Sequence, residues 1–148
     1  MTEKTFFMVK PDGVARGIAG EVISRIENKG LKITAMKMIH IDDTLAKKHY
    51  EEHLEKDFFD SLLSFITSSP SIAMIVEGED AIQVVRTLVG ETDPKKSLPG
   101  TIRGDFGLGS TENIVHASDS EESAKREIAL FFEPSEIFEY DRCEGDWV

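Results

Sequence analysis

His116 closes the run Asn113-Ile114-Val115-His116, and after Ala117 comes Ser118-Asp119-Ser120, which opens a helix. A histidine just ahead of a helix amino end sits near unpaired N–H groups and the positive end of the helix dipole. That setting disfavours imidazolium and attracts anions. A neutral imidazole there can act as a nucleophile, although a lone histidine equally serves structure. Glu127 stands on the flank of the apolar stripe formed by Ala124, Ile128 and Phe131. A carboxylate turned inward needs a hydrogen-bond donor. The donors on the preceding strand or turn are His116, Ser118 and Lys10; the alternative is an exposed glutamate on the edge of the stripe. A histidine oriented by a carboxylate is the usual arrangement of an activated imidazole.

Lys10 follows Phe6 and Met8 at a period of two, which puts all three on one strand face. At the carboxyl end of that strand its ammonium either reaches a bound anion or snorkels to water above a packed stem. Arg86 and Arg103 carry forks that suit phosphate oxygens. Singly each reads as a surface charge; with Lys10 and an N–H-rich turn they make a phosphate site. Of the pair Phe58-Phe59, one ring at a helix start can stack on a nucleobase without selecting the base, and either ring also suits a core.

Two other patterns carry less. His49-Tyr50-Glu51-Glu52-His53 matches H-x-x-E-H, which puts two histidines on one helix face as zinc ligands. No third ligand helix follows, and a solvated helix end explains it as well. Asp105-Phe106-Gly107 lacks the lid and catalytic loop that give this triplet meaning elsewhere. There is no Rossmann or Walker glycine pattern, so any bound nucleotide is held in another way.

The elements that must position these groups follow from apolar spacing. Strands are predicted at Thr5 to Val9, Leu31 to Ile39, Ser71 to Val76 and Ile114-Val115. Helices are predicted at Gly20 to Lys29, from Asp43 as cap to Tyr50, at Phe58 to Ile66, Ala81 to Val89 and Glu121 to Phe132. Ser118 and Glu121 have capping-box spacing ahead of the last one. Pro11-Asp12-Gly13 reads as a tight turn. Between Gly90 and Asn113 no periodicity appears, and long loops of this kind in compact domains are usually functional or disordered.

The chain of 148 residues fits one domain, residues 1–148, with 17 basic and 28 acidic side chains and a net charge of −11. Such a balance argues against nucleic acid and membrane surfaces as partners, and it requires a protein that handles polyanions to gather its few cations in one place. The longest apolar runs, Ile72 to Val76 and Ile128 to Phe132, are far short of the roughly 20 residues a membrane span needs. The amino terminus lacks the pattern of a signal peptide. One cysteine, Cys143, suits a reducing compartment, and a cytoplasmic location is expected.

Three motifs in order then resemble the nucleoside diphosphate kinase family. They are Lys10-Pro11-Asp12-Gly13-Val14 with Arg16-Gly17; Gly90-Glu91-Thr92 with Pro99-Gly100-Thr101-Ile102-Arg103-Gly104-Asp105-Phe106; and Asn113-Ile114-Val115-His116-Ala117-Ser118-Asp119-Ser120. The resemblance runs from about Thr5 to Phe132. It implies an α+β, ferredoxin-like fold, β-α-β-β-α-β, with helices on one face of an antiparallel sheet. It implies transfer of a γ-phosphoryl group from a nucleoside triphosphate to a nucleoside diphosphate by a ping-pong route, with magnesium on the phosphates and broad base tolerance. By matching positions, His116 would carry the phosphoryl group, and Ser118 and Glu127 would position its ring. Lys10, Tyr50, Arg86, Thr92 and Arg103 would contact phosphates, Asn113 and Lys10 the sugar hydroxyl, and Phe58 the base. The family also implies a homo-oligomer, hexamer or tetramer, and Trp147 in the tail is a candidate to pack on a neighbour.

Overall fold

The computed structural model describes residues 2–143; Trp147 lies outside the described residues. Strand β1, Thr2–Val9, ends in five consecutive buried residues. A half-exposed strand would alternate buried and exposed; this run does not, because both sheet faces are covered. Phe7 and Val9 belong to one core, Phe6 and Met8 to another. Strands β2 (Lys32–Ile39), β3 (Ser71–Glu79) and β4 (Val115–Ala117) complete a sheet of order β2-β3-β1-β4, antiparallel at every pairing. Met8 pairs with His116 across the β1–β4 ladder. That register brings the end of β1, with Lys10 just beyond it, beside the histidine more than a hundred residues away.

The helices are α1 (Pro11–Ala15), α2 (Ala19–Asn28), α3 (Asp43–His49), α4 (Phe59–Ile66), α5 (Ala81–Val89), α6 (Ile102–Phe106) and α7 (Glu121–Phe131). The ferredoxin-like core is β1-α2-β2-β3-α5-β4. Its two helices lie on one sheet face as expected, where Val22, Ile26, Val85 and Val89 pack on Phe7, Met74 and Val76. The other face is not bare. There α3, α4 and α7 cover Phe6, Met8, Ala73 and Ile75, and the rings of Phe6 and Phe131 stack at 4.6 Å. Apolar side chains on both sides of every central strand require that second layer.

Several local expectations change. Pro11-Asp12-Gly13 opens the short helix α1 rather than a bare turn, since proline at a first helical position loses no needed N–H. The segment between Gly90 and Asn113 holds a 3₁₀ turn at Pro94–Lys96 and the helix α6, capped by the Thr101 side chain and anchored by buried Ile102. Five residues are too few to show a helical period. Asp42 rather than Asp43 caps α3, and Ser120 rather than Ser118 caps α7 by accepting from Ser123 N. The fourth strand starts at Val115 because Ile114, at φ 74°, cannot extend the ladder.

Candidate active site

Every site residue expected from the sequence lines one open cleft of about 560 Å³ at the end of the sheet where β1 finishes and β4 begins. Lys10, Tyr50, Phe58, Arg86, Thr92, Arg103, Asn113, His116, Ser118 and Glu127 come to it from well-separated stretches of the chain.

One end of the cleft is built on β4. His116 Nε2 lies 2.8 Å from Glu127 Oε2, and Ser118 Oγ donates to Glu127 Oε1 at 2.5 Å. Of the donors considered for Glu127, the structure thus selects His116 and Ser118 and leaves Lys10 out. Glu127 is 3% exposed, on the face of α7 that packs on the sheet. Burial pushes its carboxyl up, but the hydrogen bonds from His116 and Ser118 and the charge of Arg126 outweigh this and hold it below its ordinary range. An ionised carboxylate only accepts, so Nε2 carries the ring proton and the lone pair of a neutral His116 sits on Nδ1.

The cations surround that ring. Lys10, buried at the start of α1, donates from Nζ to Asn113 Oδ1 at 2.8 Å, and Asn113 Nδ2 donates to the Thr92 carbonyl at 3.0 Å. Burial first, and then the Arg103 charge, lower the Lys10 pKa to about 8; Asp12 and Glu112 work against them. Arg103, on α6, donates from Nε to the Asn113 carbonyl at 3.2 Å and from Nη2 to the Val115 carbonyl at 2.7 Å. Burial and then Arg86 bring its pKa down to about 10. Arg86, on α5, donates to the Ala117 carbonyl at 3.2 Å. The two guanidiniums therefore serve the carbonyls of Asn113, Val115 and Ala117 along the free edge of β4. Backbone groups on an edge strand need partners, and meeting that need fixes both arginines beside His116.

The aromatic residues divide cleanly. Phe59 joins the core, whereas Phe58 is 51% exposed at the cleft mouth, its ring 5.5 Å from that of His53. The Tyr50 hydroxyl is buried with no hydrogen-bond partner among the described residues. Burial, and secondly Glu127, push its pKa up.

Sequence reasoning missed His49. The H-x-x-E-H pattern does not lie on one helix: α3 stops at His49, and Glu51–His53 form a 3₁₀ turn. His49 instead turns inward and is 4% exposed. Its ring centroid is 4.6 Å from that of His116, and its Nδ1 is 3.5 Å from Glu127 Oε2. Neither ring nitrogen has a hydrogen-bond partner among the described residues. Burial foremost, then the nearby His116, Arg126 and Lys10, hold its pKa well below the ordinary value, so it is neutral. The available signal was the three-residue step from Ala46 to His49, the buried stripe of α3. His49, His116 and Glu127 are the group among the described residues whose atoms lie close enough, within 4.8 Å, to share a metal ion. Both Glu127 oxygens are already committed to His116 and Ser118, however.

Residues 3–137 match the family model described as nucleoside diphosphate kinase. The chain is 60% identical over 146 residues to a nucleoside diphosphate kinase of Archaeoglobus fulgidus, covering 99% of this chain and 97% of that one. It resembles the structure of a halophilic nucleoside diphosphate kinase from Halobacterium salinarum in complex with CDP, at 50% identity and a TM-score of 0.97 over 99% and 98% of the two chains. It also resembles a transition-state mimic of the Borrelia burgdorferi nucleoside-diphosphate kinase with bound vanadate and ADP. That likeness has 44% identity and a TM-score of 0.92 over 97% and 94% of the chains.

Proposed function

Because this chain belongs to the nucleoside diphosphate kinase family, and is thus an enzyme that passes phosphoryl groups between nucleotides, we propose that it works by a ping-pong route through a phosphohistidine at Nδ1 of His116. One observation carries this reading: Glu127, held by Ser118, accepts the hydrogen bond of Nε2–H and so leaves the other ring nitrogen as the nucleophile. The Nδ1 lone pair attacks the γ-phosphorus of a triphosphate. The bond from that phosphorus to the bridging oxygen breaks, and the diphosphate leaves with the electron pair. A second diphosphate then attacks the phosphohistidine with a terminal oxygen and regenerates the neutral ring. The Nε2 proton stays on the Glu127 side throughout.

Phosphoryl transfer needs positioning and positive charge around the equatorial oxygens more than further covalent help. Lys10, Arg86 and Arg103 supply that charge. The orphaned Tyr50 hydroxyl and the exposed Thr92 offer donors for phosphate, and Asn113 with Lys10 meets the sugar. Phe58 presents only a π-face to the base, which supports broad base tolerance. Magnesium would ride on the substrate phosphates, where it offsets their charge. The cleft fits that arrangement, because its phosphate end is lined by cations while Glu127 is committed to His116 and Asp119 stands exposed at the rim. We further read residues 1–148 as one catalytic domain of a cytoplasmic homo-oligomer, hexamer or tetramer, which light scattering tests. No described helix is long and apolar enough to cross a membrane.

Incubation with γ-labelled ATP, with and without His116→Ala, tests the intermediate. Label that survives alkali but not acid is expected on the wild type and absent from the variant. Label retained by the variant would refute the role of His116.

A further inference from the structure

Asp12 takes no direct part in the chemistry above, yet two independent observations converge on it. Ile114 has a φ of 74°, a left-handed conformation that β-branched residues rarely adopt. Across it Val115 N donates to the Asn113 carbonyl at 2.8 Å, closing a three-residue turn of the strained γ type. This turn joins Asn113, which holds Lys10, to the strand that carries His116. Both polar groups of its central residue are held from one short stretch. Ile114 N donates to Asp12 Oδ2 at 3.0 Å, and the Ile114 carbonyl accepts from Lys10 N at 2.7 Å. Strained backbone persists only where its surroundings over-determine it, and here Asp12 is the side chain that does so.

The second observation is electrostatic. The other oxygen of the same carboxylate, Oδ1, is buried and has no hydrogen-bond partner among the described residues. Its charge favours the protonated forms of both Lys10 and Arg103, against burial and against the repulsion between cations. The charged and titratable groups that face Lys10 are Arg103 from α6, Asp12 from α1, Glu112 from the loop before β4 and His49 from α3. Of the carboxylates in that set, Glu112 is exposed, and Asp12 is bonded to the turn.

We propose that Asp12 is a positioning residue for phosphoryl exchange: one carboxylate oxygen pins the strained turn between Asn113 and His116, and its charge is the built-in counter-ion of Lys10 and Arg103 while the cleft holds no phosphate. The proposal deepens the reading of His116 as phosphoryl acceptor and rests on it. When nucleotide binds, its phosphates take over the counter-ion role, so the effect of Asp12 falls on the free enzyme more than on the loaded one.

The test is nucleotide exchange by the full chain between pH 6 and 10, paired with NMR titration of the Lys10 Nζ in resting protein. Asp12→Asn keeps an acceptor for Ile114 N but removes the charge. Its kcat/KM should match wild type near pH 6.5, while the alkaline limb moves down by about one pH unit, a loss of about tenfold at pH 9. kcat at saturating nucleotide should move less. Glu112→Gln should shift the limb less than Asp12→Asn. Asp12→Ala also frees the turn and should lower kcat by about 10- to 100-fold at every pH. An Asp12→Asn profile that superimposes on wild type, or an unshifted Lys10 titration, overturns the proposal. So does wild-type kcat in Asp12→Ala. Should Asp12→Ala fail to fold, Asp12→Asn decides alone. The Nζ titration needs no turnover, so failure of the phosphohistidine reading shows separately, in the labelling of wild type and His116→Ala.

Discussion

The two faces of the sheet are built from alternate residues of the same strands and end differently. On one, Phe7, Val9, Met74 and Val76 meet α2 and α5 in a core of aliphatic and aromatic side chains. On the other, Phe6 and Met8 lead along β1 to Lys10, and the core that α3 and α7 make with them contains Tyr50 and borders His49, His116 and Glu127. His49 and Tyr50 keep buried polar atoms with no hydrogen-bond partner among the described residues. A buried polar group without a hydrogen bond costs about 1–3 kcal/mol. On the second face these unpartnered atoms line the cleft beside His116 and Glu127, whereas Thr5 Oγ1, buried and unpartnered on the parity of Phe7 and Val9, lies outside it. Along β1, parity separates the residues that pack the first core from those that lead to Lys10 and lie beside His116.

If so, the faces should answer mutation in opposite ways. His116→Ala should lower exchange by about 10⁴-fold or more while leaving the denaturation midpoint close to wild type. Met74→Ala, on the apolar face, should cost about 2–5 kcal/mol of stability and leave the turnover of the folded fraction unchanged. Paired urea melts and coupled assays measure both. A Met74 variant whose folded molecules had lost activity would break the comparison.

Glu127→Gln asks how far the second face depends on charge. The glutamine side chain can donate an N–H to Nε2, which would move the ring proton to Nδ1 and occupy the attacking nitrogen. kcat should fall by about 10²- to 10⁴-fold, comparable to other losses of a carboxylate that sets a histidine tautomer. NMR of the imidazole nitrogens reads the tautomer directly. A retained Nε2–H with lost activity would mean that Glu127 acts through charge alone.

A smaller effect comes with pH. Lys10 has its pKa near 8 and must carry a proton to attract phosphate. The kcat/KM of the free enzyme should therefore decline as pH rises through about 8 and stand about tenfold below its plateau near pH 9. Lys10→Arg, whose guanidinium stays charged there, should remove that limb at the cost of a lower plateau. An unchanged limb in the variant would place the titration elsewhere.

What could be read in the sequence follows the same division. Lys10 showed itself through period two with Phe6 and Met8, and Glu127 through its place beside the stripe of α7, because a strand face and a helix face are local properties. The chain order around His116 and Ser118 pointed to a helix amino end, and only the cap moved, to Ser120, since the Ser118 hydroxyl is engaged by Glu127. The parts that stayed hidden depend on pairing between distant segments. Asp12 reaches Ile114, and the arginines reach the edge of β4, only after the β1–β4 ladder and the α5 and α6 packing have formed. His49 looked like one end of a surface motif because the break between α3 and the following 3₁₀ turn has no marked glycine or proline. Ferredoxin-like topology was expected through the family motifs, but the second helical layer had to be found in the structure.

The least disruptive test is His49→Phe, which keeps a ring against the edges of Phe6, Tyr50 and Phe131 and removes both orphaned nitrogens. Glu127 retains its bonds to His116 and Ser118, so kcat should fall by less than about tenfold. Stability should rise by about 1 kcal/mol at pH 7, because a buried polar group without a partner is exchanged for an apolar one. The pH dependence gives the sign. His49 is held well below its ordinary value of 6.5 in the folded protein. Below that pH the unfolded chain takes up a proton that the folded one refuses, and wild type loses stability as pH falls. Phenylalanine has no such proton, so the advantage of the variant should widen between pH 7 and pH 5 in urea melts. A constant gap would mean that His49 binds its proton equally in both states. A less stable variant would mean that the imidazole is tied to Glu127 more tightly than 3.5 Å implies, and the contrast between the two faces would narrow accordingly.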